Sequence, residues 1–156
     1  MVQGHWSDMV RPRAIEGTQM SDTKEPKAGT ALVDAIVFDG DGLVPAVVQQ
    51  HDTGQVLMLA WMNREAVEQT LAKGEAHFFS RSRQAQWRKG ERSGQTQRVL
   101  EIRLDCDGDA LLLSVDQTGV ACHTGRLSCW FNTVQDGAIQ VMMAADVDPA
   151  VLYQGK

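Results

Sequence analysis

The chain has 156 residues, 43% of them hydrophobic and 22% charged, and a formal net charge of −5. That length and composition suit one ordinary globular domain with a proper core, and no apolar run is long enough for a membrane-spanning helix. An acidic chain of this kind is not built for general attraction to nucleic acid.

Met1 to Met20 carries Asp8, Arg11, Arg13 and Glu16 with no apolar stretch, which argues against a secretory signal. The expectation is a soluble, cytoplasmic protein. Residues 1–30 are polar and aperiodic and read as a flexible N-terminal tail. Apolar content rises from Ala31 to Phe38, and Asp39-Gly-Asp-Gly signals a turn. Leu43 to Gln50 reads as a strand that Pro45, lacking an N–H, pushes toward a sheet edge. After a turn at Asp52-Thr-Gly, Val56-Leu-Met-Leu-Ala-Trp is apolar on both parities, as expected of a strand covered on both faces.

Asn63 can cap the helix that follows, and Glu65 stands in the first turn where the helix dipole favours a negative charge. Ala66, Val67, Thr70 and Leu71 form one stripe at helical spacing, and Gly74 is a stop. This is the principal helix, about 63–73. His77-Phe-Phe-Ser is strand-like, and the basic stretch after it, with Gly90 and Gly94, reads as a functional loop. Thr96 to Cys106 alternates in polarity, Asp107-Gly108 is a hairpin turn signal, and Ala110 to Asp116 returns as the partner strand. Val134 to Val141 has the pattern of a last hairpin. The fold class is α+β, mainly β with one principal helix.

Six basic residues (Arg81, Arg83, Arg88, Lys89, Arg92, Arg98) face the single acid Glu91 between positions 81 and 98, so this stretch is +5 and the remainder about −10. A basic island in an acidic chain suggests an anionic ligand held at one place. Arginine forks, serine hydroxyls and glycine N–H groups together suit phosphate, which brings in Ser80, Arg81, Ser82, Arg83, Lys89 and Ser93. An RNA-contacting loop or a solvated surface would have a similar composition. Trp87 could stack on a base or belong to the core.

All three cysteines, Cys106, Cys122 and Cys129, fall within 24 residues, beside His123 and the alternating Asp105, Asp107 and Asp109. Thiolates are preferred zinc ligands, and three of them leave a fourth position open, as catalytic zinc sites do. His123 could close that position as a ligand, or could serve as general acid or base next to it. The spacing matches no zinc finger. The plain alternative is buried cysteines acting as small hydrophobes. Strand parity puts Cys106 on one face and Asp105 and Asp107 on the other, so carboxylates and thiolates need not share an ion; oxygen ligands alone suit Mg2+. Without a metal, the aspartates would be a solvated hairpin turn.

Taken in order, these segments resemble the phosphoribosyl-AMP cyclohydrolase family of histidine biosynthesis. The likeness runs through Gly42-Leu-Val-Pro-Ala-Val-Val-Gln, Val56-Leu-Met-Leu-Ala-Trp-Met-Asn and Phe79-Ser-Arg-Ser-Arg. It continues in Trp87-x-Lys-Gly-Glu-x-Ser-Gly, Asp105-Cys-Asp-x-Asp, Ala121-Cys-His-Thr-Gly and Ser128-Cys. Departures are small: Gln55 where an acid is common, Trp61 where tyrosine is common, and Trp130-Phe for other aromatic pairs.

The resemblance implies an intertwined homodimer with one zinc per subunit, shared so that Cys106 comes from one chain and Cys122 and Cys129 from the other. It implies Mg2+ on Asp105, Asp107 and Asp109. The substrate is then 1-(5-phosphoribosyl)-AMP, whose purine ring is opened hydrolytically between N1 and C6. His123 is the candidate for moving the proton. Arg81, Arg83 and Lys89 would neutralise the two phosphates, with Ser80, Ser82, Trp87 and Ser93 as further contacts. The expected division is a tail at 1–30, a cyclohydrolase domain at 31–135 and a C-terminal extension at 136–156, monofunctional, with neither nucleic acid nor membrane as partner. Two competing readings are a structural zinc module that binds RNA through the basic 80–98 loop, and a zinc nucleobase deaminase. The latter's His-x-Glu and Pro-Cys-x-x-Cys signature does not occur.

Overall fold

In the computed structural model, residues 30–154 are described; the tail expected at 1–30 lies, but for its last residue, outside them. The elements run α1 (Thr30–Ala35), β1 (Leu43–Gln50), β2 (Val56–Asn63), α2 (Arg64–Lys73), β3 (His77–Ser80), β4 (Ala85–Arg88), β5 (Gln97–Leu104), β6 (Leu111–Gln117), β7 (Asn132–Gln135) and β8 (Ala138–Val141). β1 to β6 form one six-stranded sheet in the order β4-β3-β2-β1-β6-β5, and β7 and β8 form a separate hairpin. The architecture is α+β and mainly β, as expected. Among the described residues no helix is long and apolar enough to cross a membrane.

α2 follows local rules closely. The Asn63 side chain accepts from the Ala66 N–H at 2.9 Å, and Gly74, at φ 68°, closes the helix by donating to the Thr70 carbonyl. Ala66, Val67 and Thr70 are buried, while Leu71, expected in the same stripe, is 37% exposed. Thr70 does more than fill space. Its hydroxyl donates to the Ala66 carbonyl at 2.8 Å and accepts from the His77 N–H at 3.0 Å, tying the helix to the start of β3. Thr70→Val keeps the shape but orphans a buried N–H, so it should cost about 1–3 kcal/mol. Urea denaturation should show that as a lower midpoint with an unchanged slope.

The core lies on the α2 face of the sheet, where Val44, Ala46 and Val48 of β1 meet Met58 and Met62 of β2, Leu111, Leu113 and Val115 of β6, and Val33 and Ile36. β1 is therefore central, between β2 and β6, and not the edge strand that Pro45 suggested. Its parallel pairing with β6 begins only at Ala46, so on that side Pro45 has no strand to donate to. β2 is not covered on both faces either: Leu59 is 43% and Val56 39% exposed. The odd positions of β1 and β2, Pro45 opposite Trp61 and Val47 opposite Leu59, continue into Phe79 of β3 and Leu112 of β6. This makes an apolar face turned away from the core.

The sheet also rolls toward closure. The Val99 N–H donates to the Gly74 carbonyl at 2.8 Å and the Ala76 N–H to the Gln97 carbonyl at 3.0 Å. β5 thereby meets the lead-in to β3, and Lys89, just past β4, donates its N–H to the Ala76 carbonyl. The basic stretch is consequently not one loop: its first part is the β3–β4 hairpin, with Phe78 opposite Trp87. The expected hairpin around Asp107-Gly108 is present, with Leu104 paired to Leu111.

Candidate active site

Past the end of β6 the chain folds into a compact loop. The Cys122 N–H donates to the Arg126 carbonyl at 3.0 Å and the Gly125 N–H returns to the Cys122 carbonyl at 3.0 Å. Ser128, 1% exposed, donates its hydroxyl to the Val56 carbonyl at 2.8 Å and accepts from the Trp130 N–H. Together with the Cys129 N–H on the Leu57 carbonyl at 2.7 Å, this pins Cys129 to the start of β2. The positioning role of Ser128 was not foreseen, because its partners lie some seventy residues upstream.

Cys122 and Cys129 are neighbours in space. Cys129 is exposed as a residue, yet protein atoms crowd its sulfur; lost hydration, then the neighbouring Cys122, push its thiol up to about 12. The Thr124 hydroxyl lies 3.0 Å from the Cys122 sulfur. Lys89 is nearby and buried, its ammonium donating to the Gln95 carbonyl at 3.0 Å. Burial holds its pKa below the usual lysine value, while the two sulfurs work the other way. Two neighbouring thiols are a donor set for a soft cation.

A cleft of about 380 Å3 opens beside them, walled by Cys129, His123, Lys89, Trp87, Arg83, Arg92, Ser93, Met58 and Tyr153 among others. Six of the expected residues thus meet at one place: Cys129, His123, Lys89, Trp87, Arg83 and Ser93. Trp87 is at once core and wall, its ring centroid 4.9 Å from that of Phe78. Ser80, Arg81 and Ser82 line a shallower depression with Leu59, Trp61 and Phe79, which shares Arg83 and Trp87 with the cleft. There the Ser80 hydroxyl accepts from Arg83 Nε at 3.2 Å, and the Arg81 guanidinium lies 4.5 Å from the Trp61 ring centre. Arg88 and Arg92 of the basic stretch also line the cleft, and Met58 and Tyr153 are cleft residues with no local signal in the sequence.

The aspartates are elsewhere. β5 ends at Leu104, so strand parity stops before Asp105, and the oxygens of Asp105 and Asp107 and the sulfur of Cys106 lie within 4.8 Å of one another. The expectation that thiol and carboxylates point to opposite faces is thereby corrected: a turn, not a strand, carries them. The Asp105 carboxylate accepts from the Ala110 N–H at 3.1 Å, and the Val37 N–H donates to the Gly108 carbonyl at 2.8 Å, bracing the turn from outside. The charges of Asp107 and then Asp105 raise the Asp109 carboxyl above its ordinary range. At Asp105 desolvation is the largest single effect and works upward, but the hydrogen bonds from Ala110, Asp107 and Asp109 together leave the carboxyl below it.

Cys106 does not join the other two cysteines within one chain. It precedes β6 and they follow it, and the seven residues of β6 span roughly 20 Å. Among the described residues, the only group of three or more potential metal ligands is Asp105, Cys106 and Asp107.

The family model described as Phosphoribosyl-AMP cyclohydrolase matches residues 58–131. A protein of that name from Alkalilimnicola ehrlichii is 53% identical over 137 residues, covering 85% of this chain and 96% of its own length. Another, from Rhodospirillum rubrum, is 60% identical over 135 residues, covering 86% and 94%. A third, from Rhodospirillum centenum, is 59% identical over 128 residues, covering 80% and 96%. With more than half its residues shared along most of its length and the loop of Cys122 and Cys129 inside the match, the chain belongs to the phosphoribosyl-AMP cyclohydrolase family of enzymes.

Proposed function

We propose that this enzyme opens the purine ring of 1-(5-phosphoribosyl)-AMP by hydrolysis in histidine biosynthesis. Water adds at C6, the C6–N1 bond breaks, and N1 takes up a proton. The observation that carries this reading is the meeting of Cys129, a histidine, an aromatic wall and several cations in one cleft, with the buried Cys122 beside Cys129. Zinc fits Cys122 and Cys129, and when bound it supplies a Lewis acid that makes water a nucleophile near neutral pH. His123, at the cleft wall, moves the proton between the attacking water and the departing N1. Arg83 and Lys89, with Arg81 in the adjoining depression, neutralise the two phosphates, and Ser80, Ser82 and Ser93 add hydroxyl contacts. Trp87 offers a flat wall to the base. Three free thiols acting as ligands suit a reducing compartment, so the reading places the enzyme in the cytoplasm.

A homodimer follows from the same reading. Two thiols stand at one end of β6 and the third at the other, so three-thiolate ligation needs Cys106 of the partner subunit. The apolar face of Pro45, Val47, Leu59, Trp61, Phe79 and Leu112 supplies a surface for the partner to cover.

Mg2+ would sit on Asp105, Asp107 and Asp109, where its charge relieves the repulsion that raises Asp109. Without the ion, the fold holds the Asp109 proton more tightly than the unfolded chain does, so stability is lost as pH rises through the raised value. Mg2+ offsets that loss only where the carboxyl is ionised. Millimolar Mg2+ should therefore raise the Tm at neutral pH, with a gain that shrinks toward about pH 4 and is largely absent in Asp109→Asn. A gain independent of pH would place the ion elsewhere.

The reaction itself is tested by turnover in isotopically labelled water. The label should appear in the new carboxamide oxygen of an imidazole product. Label-free product, or loss of the exocyclic nitrogen as ammonia, would rule ring opening out.

A further inference from the structure

Two cleft residues come from neither the cysteine loop nor the basic stretch: Met58, on β2, and one from near the end of the chain. Tyr153 stands in the wall, on a segment that returns from β8. Its return is held by specific bonds. The N–H groups of Asp146 and Val147 both donate to the Gly125 carbonyl, at 2.8 and 3.1 Å, and Arg126 Nε donates to the Met143 carbonyl at 2.8 Å. Gly125 has φ +79°, and a Cβ there would run into the Val147 carbonyl. Glycine is what lets the segment lie so close to the Cys122–Cys129 loop. Beyond it the Asp148 side chain accepts from the Ala150 N–H at 2.8 Å, closing a turn, and Leu152 is buried. Tyr153, next in line, keeps 49% of its surface open while lining the cleft.

The cleft thus has aromatic rings from two sources: Trp87, fixed against Phe78, and Tyr153, carried in by a segment anchored on the ligand loop. Leu152 already supplies the apolar contact that anchors this end, so the half-open Tyr153 ring is left with surface for a flat ligand. We propose that Tyr153 is a substrate-contacting residue whose ring stacks on the planar base, and that the segment at 142–154 is one wall of the active site. This rests on the phosphoribosyl-AMP reading above.

The test is steady-state kinetics with zinc analysis on the full chain carrying Tyr153→Ala, Tyr153→Leu or Tyr153→Phe. Stacking predicts a KM raised on the order of tenfold in the Ala and Leu proteins, with kcat little changed because the contact binds substrate and transition state alike. Tyr153→Phe should keep the wild-type KM, and all three should keep their zinc. A wild-type KM in Tyr153→Leu overturns the proposal. So does zinc loss in Tyr153→Ala, which would show the segment acting through the cysteine loop. Wild-type protein that fails to open phosphoribosyl-AMP defeats the underlying reading and this one with it. An active wild type with indifferent Tyr153 variants defeats this one alone.

Discussion

Cys106→Ala and Cys122→Ala proteins, each nearly inactive alone, should recover turnover when their subunits are exchanged. On the proposed shared site, each variant lacks a zinc ligand in every site of its own homodimer. Losing a ligand should cost at least the roughly 10–100-fold that losing a ligand's supporting partner costs. In a mixed dimer, however, one site joins Cys106 of the Cys122→Ala chain to Cys122 and Cys129 of the Cys106→Ala chain, and that site is intact. Random exchange puts about half the dimers in mixed form with one good site in two, giving about one quarter of wild-type activity. Zinc content should return in the same proportion. Mixed dimers without activity would contradict the shared site and leave Cys106 with a role confined to the aspartate turn.

His123→Ala should retain zinc while kcat falls by about 10²–10⁴-fold, the range for loss of a general acid or base. Two histidines of this chain show the contrast that leads to this expectation. His77 is buried with a ring nitrogen 2.7 Å from the Glu75 carbonyl, as a structural histidine should be. His123 is exposed in the cleft wall, next in sequence to Cys122. Zinc analysis alongside kinetics separates the two open roles, since zinc lost together with rate would make His123 a ligand.

What the sequence made legible was governed by neighbours. Asn63 and Gly74 bounded α2 correctly because caps act within one turn. Asp107-Gly108 located the β5–β6 hairpin because a turn fixes its own register. The thiols, the histidine and the basic residues were recognisable by kind and crowding. What escaped depended on distant pairing. Nothing near Pro45 tells that β1 meets β6 in parallel, or that this ladder starts one residue later. Parity failed at Asp105 because the strand had already ended at Leu104. Ser128 and Tyr153 owe their places to Val56 and to Gly125 with its hydrogen-bonded segment, contacts that no local pattern encodes. Leu71 shows the reverse: it fits the helical stripe, yet it stays 37% exposed at a groove beside Val99 and Ile102 of β5.

The most direct test of zinc-dependent ring opening is an absorbance assay with phosphoribosyl-AMP on purified wild-type protein, before chelation, after it, and after zinc is returned. Turnover should vanish on chelation and come back with zinc, while Mg2+ alone restores nothing. Full turnover in folded, zinc-free protein would contradict the account.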